Sequence, residues 1–313
     1  MKVSDTSPAE NFFDDTAGEI NQVEEKTISL FSISIKNFLG NHLAVLATAI
    51  VIFAIILSIF SPYFAPHDPN KTNLFLRLQA PAWMEGGNWS HPLGADHLGR
   101  DILSRIIYGT RVSIIVGFSV IFIATAIGIL LGLMAGYLKG KFDLVISTIV
   151  DILLGFPYLI FAIALMAAMG PGFQNIILAL VYKEWVIPCR VVRGETLAVK
   201  EIEYVEAAQA IGASKFHIML KEILPNILSP VIVVATTRMA TVIILESSLS
   251  FLGLGVQPPM ASWGNMVADG REFMLEAWWV STFSGIAILI LVLSMNIASL
   301  GLRDAFDPRF SES

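Results

Sequence analysis

The sequence predicts an all-α, polytopic membrane protein with six transmembrane helices. Three observations carry this. Of 313 residues, 55% are hydrophobic and 15% charged, with a mean hydropathy of +0.70. That balance belongs to a membrane-embedded chain, not to a soluble domain with a large core. Uncharged runs of spanning length recur, clearest at Leu43–Ser61 and Val112–Leu138. Between those two runs lies a polar loop, 62–111, rich in Pro and Gly.

The elements follow in order. Residues 1–35 are polar and acidic, with Asp14, Asp15, Glu24 and Glu25, and read as a disordered cytoplasmic tail. Residues 36–111 hold the first transmembrane helix and an external loop. Leu43–Ser61 starts too deep for a secretory signal and lacks a small-residue cleavage site, so it reads as a retained anchor. Val112–Leu138 is long enough to span with tilt. Its Gly128, Gly132 and Gly136 form a double GxxxG, a face on which another backbone can approach closely, within this chain or from a partner. Leu144–Ala168 is the third span, interrupted by Asp151 and by Gly155-Phe156-Pro157. Pro157 should kink it through a lost backbone hydrogen bond. Gly170-Pro171-Gly172 makes a tight turn.

The fourth span, Phe173–Arg193, is interrupted by Lys183, Glu184 and Pro188. The fifth, Ile227–Ser247, contains Arg238. The sixth, Trp278–Ser299, begins with two tryptophans suited to the membrane interface. Residues 112–305 thus make the core of the chain, and 306–313 a cytoplasmic tail.

Lys and Arg placement sets the orientation. With the N-terminus inside, twelve of the 20 basic residues fall on the cytoplasmic side, six outside, and Lys183 and Arg238 within spans. Both termini are then cytoplasmic. A net charge of −6 argues against nucleic acid as a partner. The lone Cys189 cannot form an internal disulfide.

Between the fourth and fifth spans lies a polar stretch, Glu203–Leu228. Glu203–Ile211 suits a short helix with small positions at Ala207, Ala208 and Ala210. Gly212 fits the left-handed position that ends it. Ser214 can cap a second helix. There, Phe216, Met219, Leu220 and Ile223 make one apolar stripe, and Pro225 ends it.

Glu206-Ala207-Ala208, Gly212 and Leu224-Pro225 resemble the "EAA" loop (201–226 here) of ABC importer permeases. Glu222 stands where that pattern favours an apolar residue. Two further stretches, HPLGADHLGRDILSRIIYGTRVS (His91–Ser113) and LESSLSFLGLGVQPPMASWGNMVADGR (Leu245–Arg271), together with the ending GLRDAFDPR, are similar to the C-type permeases of the dipeptide/oligopeptide/nickel branch. The likeness runs from about Lys36 to Arg309.

The resemblance implies a five-helix importer core within the six spans. It also implies a bacterial cytoplasmic membrane location and three kinds of protein partner. These are a homologous B-type permease, two ABC ATP-binding subunits and an external or periplasmic solute-binding protein. ATP and Mg would be bound by the ATPase subunits, with no cofactor in this chain. Carried over by position, Glu206 would be the acidic contact to the ATPase and Gly212 the bend. The cargo implied is a di- or oligopeptide, with glutathione, nickel or another small solute as alternatives.

No catalytic constellation is visible. There is no GxxxxGK[ST] loop for phosphate. His91 and His97 lie near Asp96 and Asp101, where a metal or acid/base site can be imagined. Both pairs belong to the loop motif, so a structural or gating role is the expectation and no metal site is assigned. Charges within spans face protein or water. Lys183, Glu184, Arg238 and Glu246 are therefore the candidate pathway residues. Arg238 and Glu246 lie near one helical face, and structural pairing of Arg238 with a carboxylate is the competing reading. Lys183 and Glu184 are neighbours that point about 100° apart. An ion-coupled secondary transporter is the distant alternative. It would leave the Glu206 loop unexplained and often shows an inverted repeat, and none is evident.

Overall fold

The structure, a computed structural model, describes residues 38–306. The expected tail at 1–35 lies outside them, as does the expected tail at 306–313 but for Phe306, which ends the last helix. The described residues are helical apart from loops and one isolated antiparallel bridge, Ala95 to Asp101.

Helix α1 is His42–Phe64, started by Asn41, whose side chain accepts from Ala44 N at 3.1 Å. Its buried face is small: Ala44, Ala47, Ala54, Ser58 and Ser61. Its large side chains, such as Leu43, Leu46, Phe53 and Ile59, point outward. That inversion is expected where the solvent is hydrocarbon and close packing, not apolar burial, joins helices.

Helix α2 is Ile102–Leu138, 37 residues. It starts well before the uncharged run at Val112. At about 1.5 Å per residue it is about 55 Å long, far more than a hydrocarbon core of about 30 Å. Its first turns can therefore carry Arg105 and Arg111 outside the apolar layer. Asp101 begins it, accepting from Ser104 N at 2.8 Å.

The double GxxxG is an internal seam, packed on α6 (Val186–Val199). A Cβ at Gly128 would stand 2.6 Å from Pro188 Cβ, one at Gly132 2.7 Å from the Cys189 carbonyl oxygen, and one at Gly136 2.7 Å from Thr196 Cβ.

The third span is broken, not merely kinked. Helix α3 (Gly140–Gly155) and α4 (Tyr158–Met169) meet at 95°. At about 24 and 18 Å, neither half crosses a bilayer alone. The fourth span is α5 (Phe173–Glu184) followed by α6, with Trp185 between them. Pro188 has no N–H for the Glu184 carbonyl, which interrupts the ladder there.

Helix α7 is Glu203–Ala210. After it, one continuous helical segment runs Lys215–Phe251. This α8 opens with the turn Lys215–His217, passes through a π-helical stretch Ile218–Ile223, and continues as Leu224–Phe251. Pro225 therefore does not end a helix. It stands in the first turn of the α-helical part, where a missing donor costs little after a π-turn.

Helix α9 is Trp263–Arg271, and α10 is Trp279–Phe306. Trp279 is buried, its indole donating to the Ala95 carbonyl at 3.4 Å, whereas Trp278 is partly exposed. Only Trp278 can serve as an interfacial aromatic. In all, four described helices are long and apolar enough to cross a membrane, or five with the bent pair α3–α4 counted as one broken span. The α5–α6 pair, expected as the fourth span, carries Lys183, Glu184, Arg190 and Arg193 and is not among these apolar helices.

Candidate coupling loop and charged core

The Glu206 loop is built at the C-terminal end of α2. Val205, Ile218, Ile223 and Ile227 are fully or almost fully buried against Leu133, Tyr137 and Val192. The expected stripe of Phe216, Met219, Leu220 and Ile223 is thus only partly the buried face. Buried positions recur at intervals of five and then four residues, because the π-turn advances the phase by one. Phe216 is left 68% exposed and Ile211 86% exposed.

Gly212 adopts φ +82, the left-handed turn expected of it, and Ser214 accepts from His217 N at 3.3 Å. Glu206 and Ala207 are exposed, Ala208 is half-buried, Leu224 is half-buried and Pro225 is exposed. Glu206 has no ionic partner among the described residues. Lys200 pins the loop to α2, donating to the Tyr137 carbonyl at 2.8 Å. Burial, with help from Lys139, holds the Lys200 ammonium below its ordinary pKa. Lys139 and Glu201 pair at 3.1 Å on the surface. The loop therefore has an apolar root and an exposed surface that carries Glu203, Glu206, Lys215 and Lys221 together with the large apolar side chains of Ile211 and Phe216.

The charges within the spans are mostly paired inside the chain. Glu184 is 1% exposed and takes both prongs of Arg238, through Nε and through Nη2 at 3.0 Å. Lys183 turns the other way. Its ammonium donates to the Phe156 carbonyl and lies 5.3 Å from the Tyr158 ring centre. Lys183 thus satisfies an acceptor at the α3–α4 break, where Pro157 removes a donor. Tyr158 donates in turn to the Leu180 carbonyl at 2.9 Å.

Glu246 does not meet Arg238. It is fully buried and accepts from Ser250 at 2.8 Å, Ser247 at 3.3 Å and Ser113 at 3.4 Å. Of the four candidate pathway residues, Arg238 alone lines the cavity of about 600 Å³ between α6, α8 and α10, with Thr237, Ser299 and Arg303. Lys183, Glu184 and Glu246 are drawn into the packing instead, because a charge in a span is cheapest where it finds a partner or a hydrogen-bond shell.

At the other end of α2 the His91–Ser113 motif forms a cap held by buried ion pairs. Asp96 accepts from Arg100 at 2.6 Å, and Arg105 lies 3.6 Å away. Arg100 also reaches Asp269 of α9 at 3.3 Å. Trp263 packs on Gly109, where a Cβ would stand 2.6 Å from the ring, and donates to the Ile106 carbonyl at 2.9 Å. His91 donates to Asp101 at 3.0 Å. The loop also brings in His67, which the sequence reading did not single out, with its ring 4.5 Å from that of His91. His97 stacks on Phe273 and joins neither group.

A helical membrane chain with a long helix joining a cap of buried ion pairs to an exposed, acid-bearing helical loop, and with span charges satisfied by partners inside the chain, is a subunit of a membrane transporter. The chain belongs to the binding-protein-dependent transport system inner membrane component family, whose model matches residues 128–312. Residues 29–81 match the N-terminal transmembrane domain of oligopeptide transport permease C.

Among relatives, a probable D,D-dipeptide transport system permease protein, DdpC, of Escherichia coli is 40% identical over 86% of this chain and 89% of its own length. The di/tripeptide permease DppC of Pseudomonas aeruginosa is 37% identical over 89% and 92%. The glutathione permease GsiD of Pectobacterium atrosepticum is 40% identical over 88% and 89%. In fold, the chain is similar to one in the inward-facing MetNI methionine ABC transporter. The TM-score is 0.52 and identity 20%, covering 66% of this chain and 98% of the other.

Proposed function

We propose that this chain is the C-type half of the membrane pathway of an ATP-driven importer for di- or oligopeptides. It would work in the bacterial cytoplasmic membrane beside a homologous B-type permease, two ABC ATPases and an external solute-binding protein. ATP and Mg would be held by the ATPases, and this chain would contribute walls and levers.

The observation that carries the reading is the exposed face of the Glu206 loop. Ile211 and Phe216 stand out on the same loop as Glu206, which has no ionic partner among the described residues, over a root packed into α2 and α8. A soluble partner that covered this face would bury apolar area and could complement the Glu206 carboxylate. Motion of the partner would pass through Val205 and Ile223 into the two longest helices. ATP then shifts the membrane subunits between outward- and inward-open states through differential affinity for the two. The loop and the His91 cap sit at opposite ends of α2, so if the loop faces the cytoplasm the cap faces the solute-binding protein. Both termini are cytoplasmic in this orientation. Peptide cargo is supported by the names of the relatives, with glutathione as the second reading.

Uptake in a strain lacking the gene tests the cargo. Labelled di- and tripeptides should enter only when the gene is restored. Restored uptake of glutathione or nickel, without peptide uptake, would overturn the peptide assignment.

A further inference from the structure

We infer that His67, His91 and Asp101 form a binding site for a divalent transition metal of the zinc class on the outer cap. One ring nitrogen of each histidine and one carboxylate oxygen of Asp101 lie within 4.8 Å of one another. Two imidazoles and a carboxylate are a donor set that Zn²⁺, Co²⁺ and Ni²⁺ share, and one that calcium and magnesium do not favour.

The three residues come from three segments. His67 follows α1, His91 lies in the loop, and Asp101 begins α2. Their approach is built rather than incidental. The His67 backbone N–H donates to Ser104 Oγ at 3.0 Å, and that hydroxyl donates to Asp101 Oδ2 at 2.6 Å. The His67 ring is held by its Nε2–H, which donates to the Ser90 carbonyl at 2.6 Å. A carbonyl can only accept, so Nδ1 of His67 keeps its lone pair. Such a hydrogen bond to backbone is the usual support of a metal-binding imidazole.

Charge points the same way. Asp101 is 2% exposed, and the nearby cations Arg100 and Arg105 are engaged with Asp96 instead. A buried carboxylate gains from a cation. Oδ1 of Asp101 and Nδ1 of His91 share one proton at 3.0 Å. A metal at about 2.1 Å from each can take that proton's place with an angle near 90°. Both histidines are half-buried, so the pair is reachable from solvent. Bound metal would brace the end of α1 against the start of α2. The ion is a resident of the cap, and this inference does not depend on the cargo.

The test uses the full chain, purified in detergent without a polyhistidine tag and stripped with a chelator. Zn²⁺ is titrated by calorimetry, and Co²⁺ by its d–d absorption. One equivalent per chain should bind, and His67→Ala should weaken binding about tenfold or more. His97→Ala, in the same loop but outside the cluster, should bind as wild type. His67→Gln, which keeps a polar group at a half-exposed position, should also lose binding while eluting as a folded monodisperse protein. Wild-type chain that binds neither metal, or His67 variants that bind like wild type, would overturn the site and leave a hydrogen-bonded staple.

Discussion

Glu184 on α5 and Arg238 on α8, 54 residues apart in sequence, grip each other through both carboxylate oxygens. Their surroundings differ. The Glu184 side chain is 0% exposed, whereas that of Arg238 is 24% exposed and borders a cavity. The asymmetry sets an order of damage. Arg238→Met strands a buried carboxylate and should cost about 3 kcal/mol or more. Glu184→Leu leaves a guanidinium that can still reach the cavity and should cost less. The double variant should recover much of the Arg238→Met loss. Thermal unfolding of the three purified variants reads this directly. A double variant as damaged as the sum of the singles would mean that the pair does not act as a unit.

The α2–α6 seam makes a second prediction. A Cβ at Gly132 would sit 2.7 Å from the Cys189 carbonyl oxygen and 2.8 Å from Val192 Cβ. The backbone atom cannot swing aside. Gly132→Ala should destabilise the chain by about 1–3 kcal/mol, and Gly132→Leu should prevent assembly. Gly194 on α6 has nothing within 4 Å of its would-be Cβ. Gly194→Ala should therefore be neutral, or stabilising by about 0.5–1 kcal/mol from backbone entropy. Equal effects at the two glycines would mean that the seam is not closely packed.

Orientation is open to a labelling experiment. Ser90 and Ser214 are both exposed and lie at opposite ends of the molecule. With Cys189→Ser as background, Ser90→Cys should react with an impermeant thiol reagent in intact cells. Ser214→Cys should react only after permeabilisation. The reverse pattern would invert the whole topology and remove the Glu206 loop from the ATPase side.

The parts of this architecture that could be read from the chain are those with local causes. Gly212 needs a left-handed φ, and Gly128, Gly132 and Gly136 lie on one helical stripe. What escaped has non-local or phase-dependent causes. The α2 helix begins at Ile102, not Val112, because a cap at Asp101 and ion pairs sustain it beyond the apolar layer, where hydropathy carries no signal. Phe216 looked buried because a strict 3.6-residue period was assumed, and the π-turn breaks that phase. The Arg238–Glu184 pair joins two spans that no spacing rule connects. Glu246 looked like a pathway charge, and three serines, one of them on another helix, explain its burial instead. His67 carried no local signal. It matters only because the loop folds it onto His91.

Coupling supplies the last prediction. Glu206 is exposed and without an ionic partner among the described residues, on a helix of eight residues rooted by Val205. Reversing its charge should leave the permease folded, because the side chain supports nothing inside the chain. Glu206→Lys should therefore insert and unfold like wild type, yet lose ATPase association and uptake. The cost is repulsion if the ATPase presents a basic group. Phe216→Ala, at an exposed apolar position, should weaken association more mildly. Gly212→Val should act differently. A β-branched residue tolerates φ +82 poorly, so the loop itself should lose its turn and show faster amide exchange across 205–218. Co-purification of the ATPase, uptake, and hydrogen exchange separate these outcomes. Normal uptake by Glu206→Lys at normal expression would remove Glu206 from the docking face, and unchanged exchange in Gly212→Val would show that the turn does not depend on glycine.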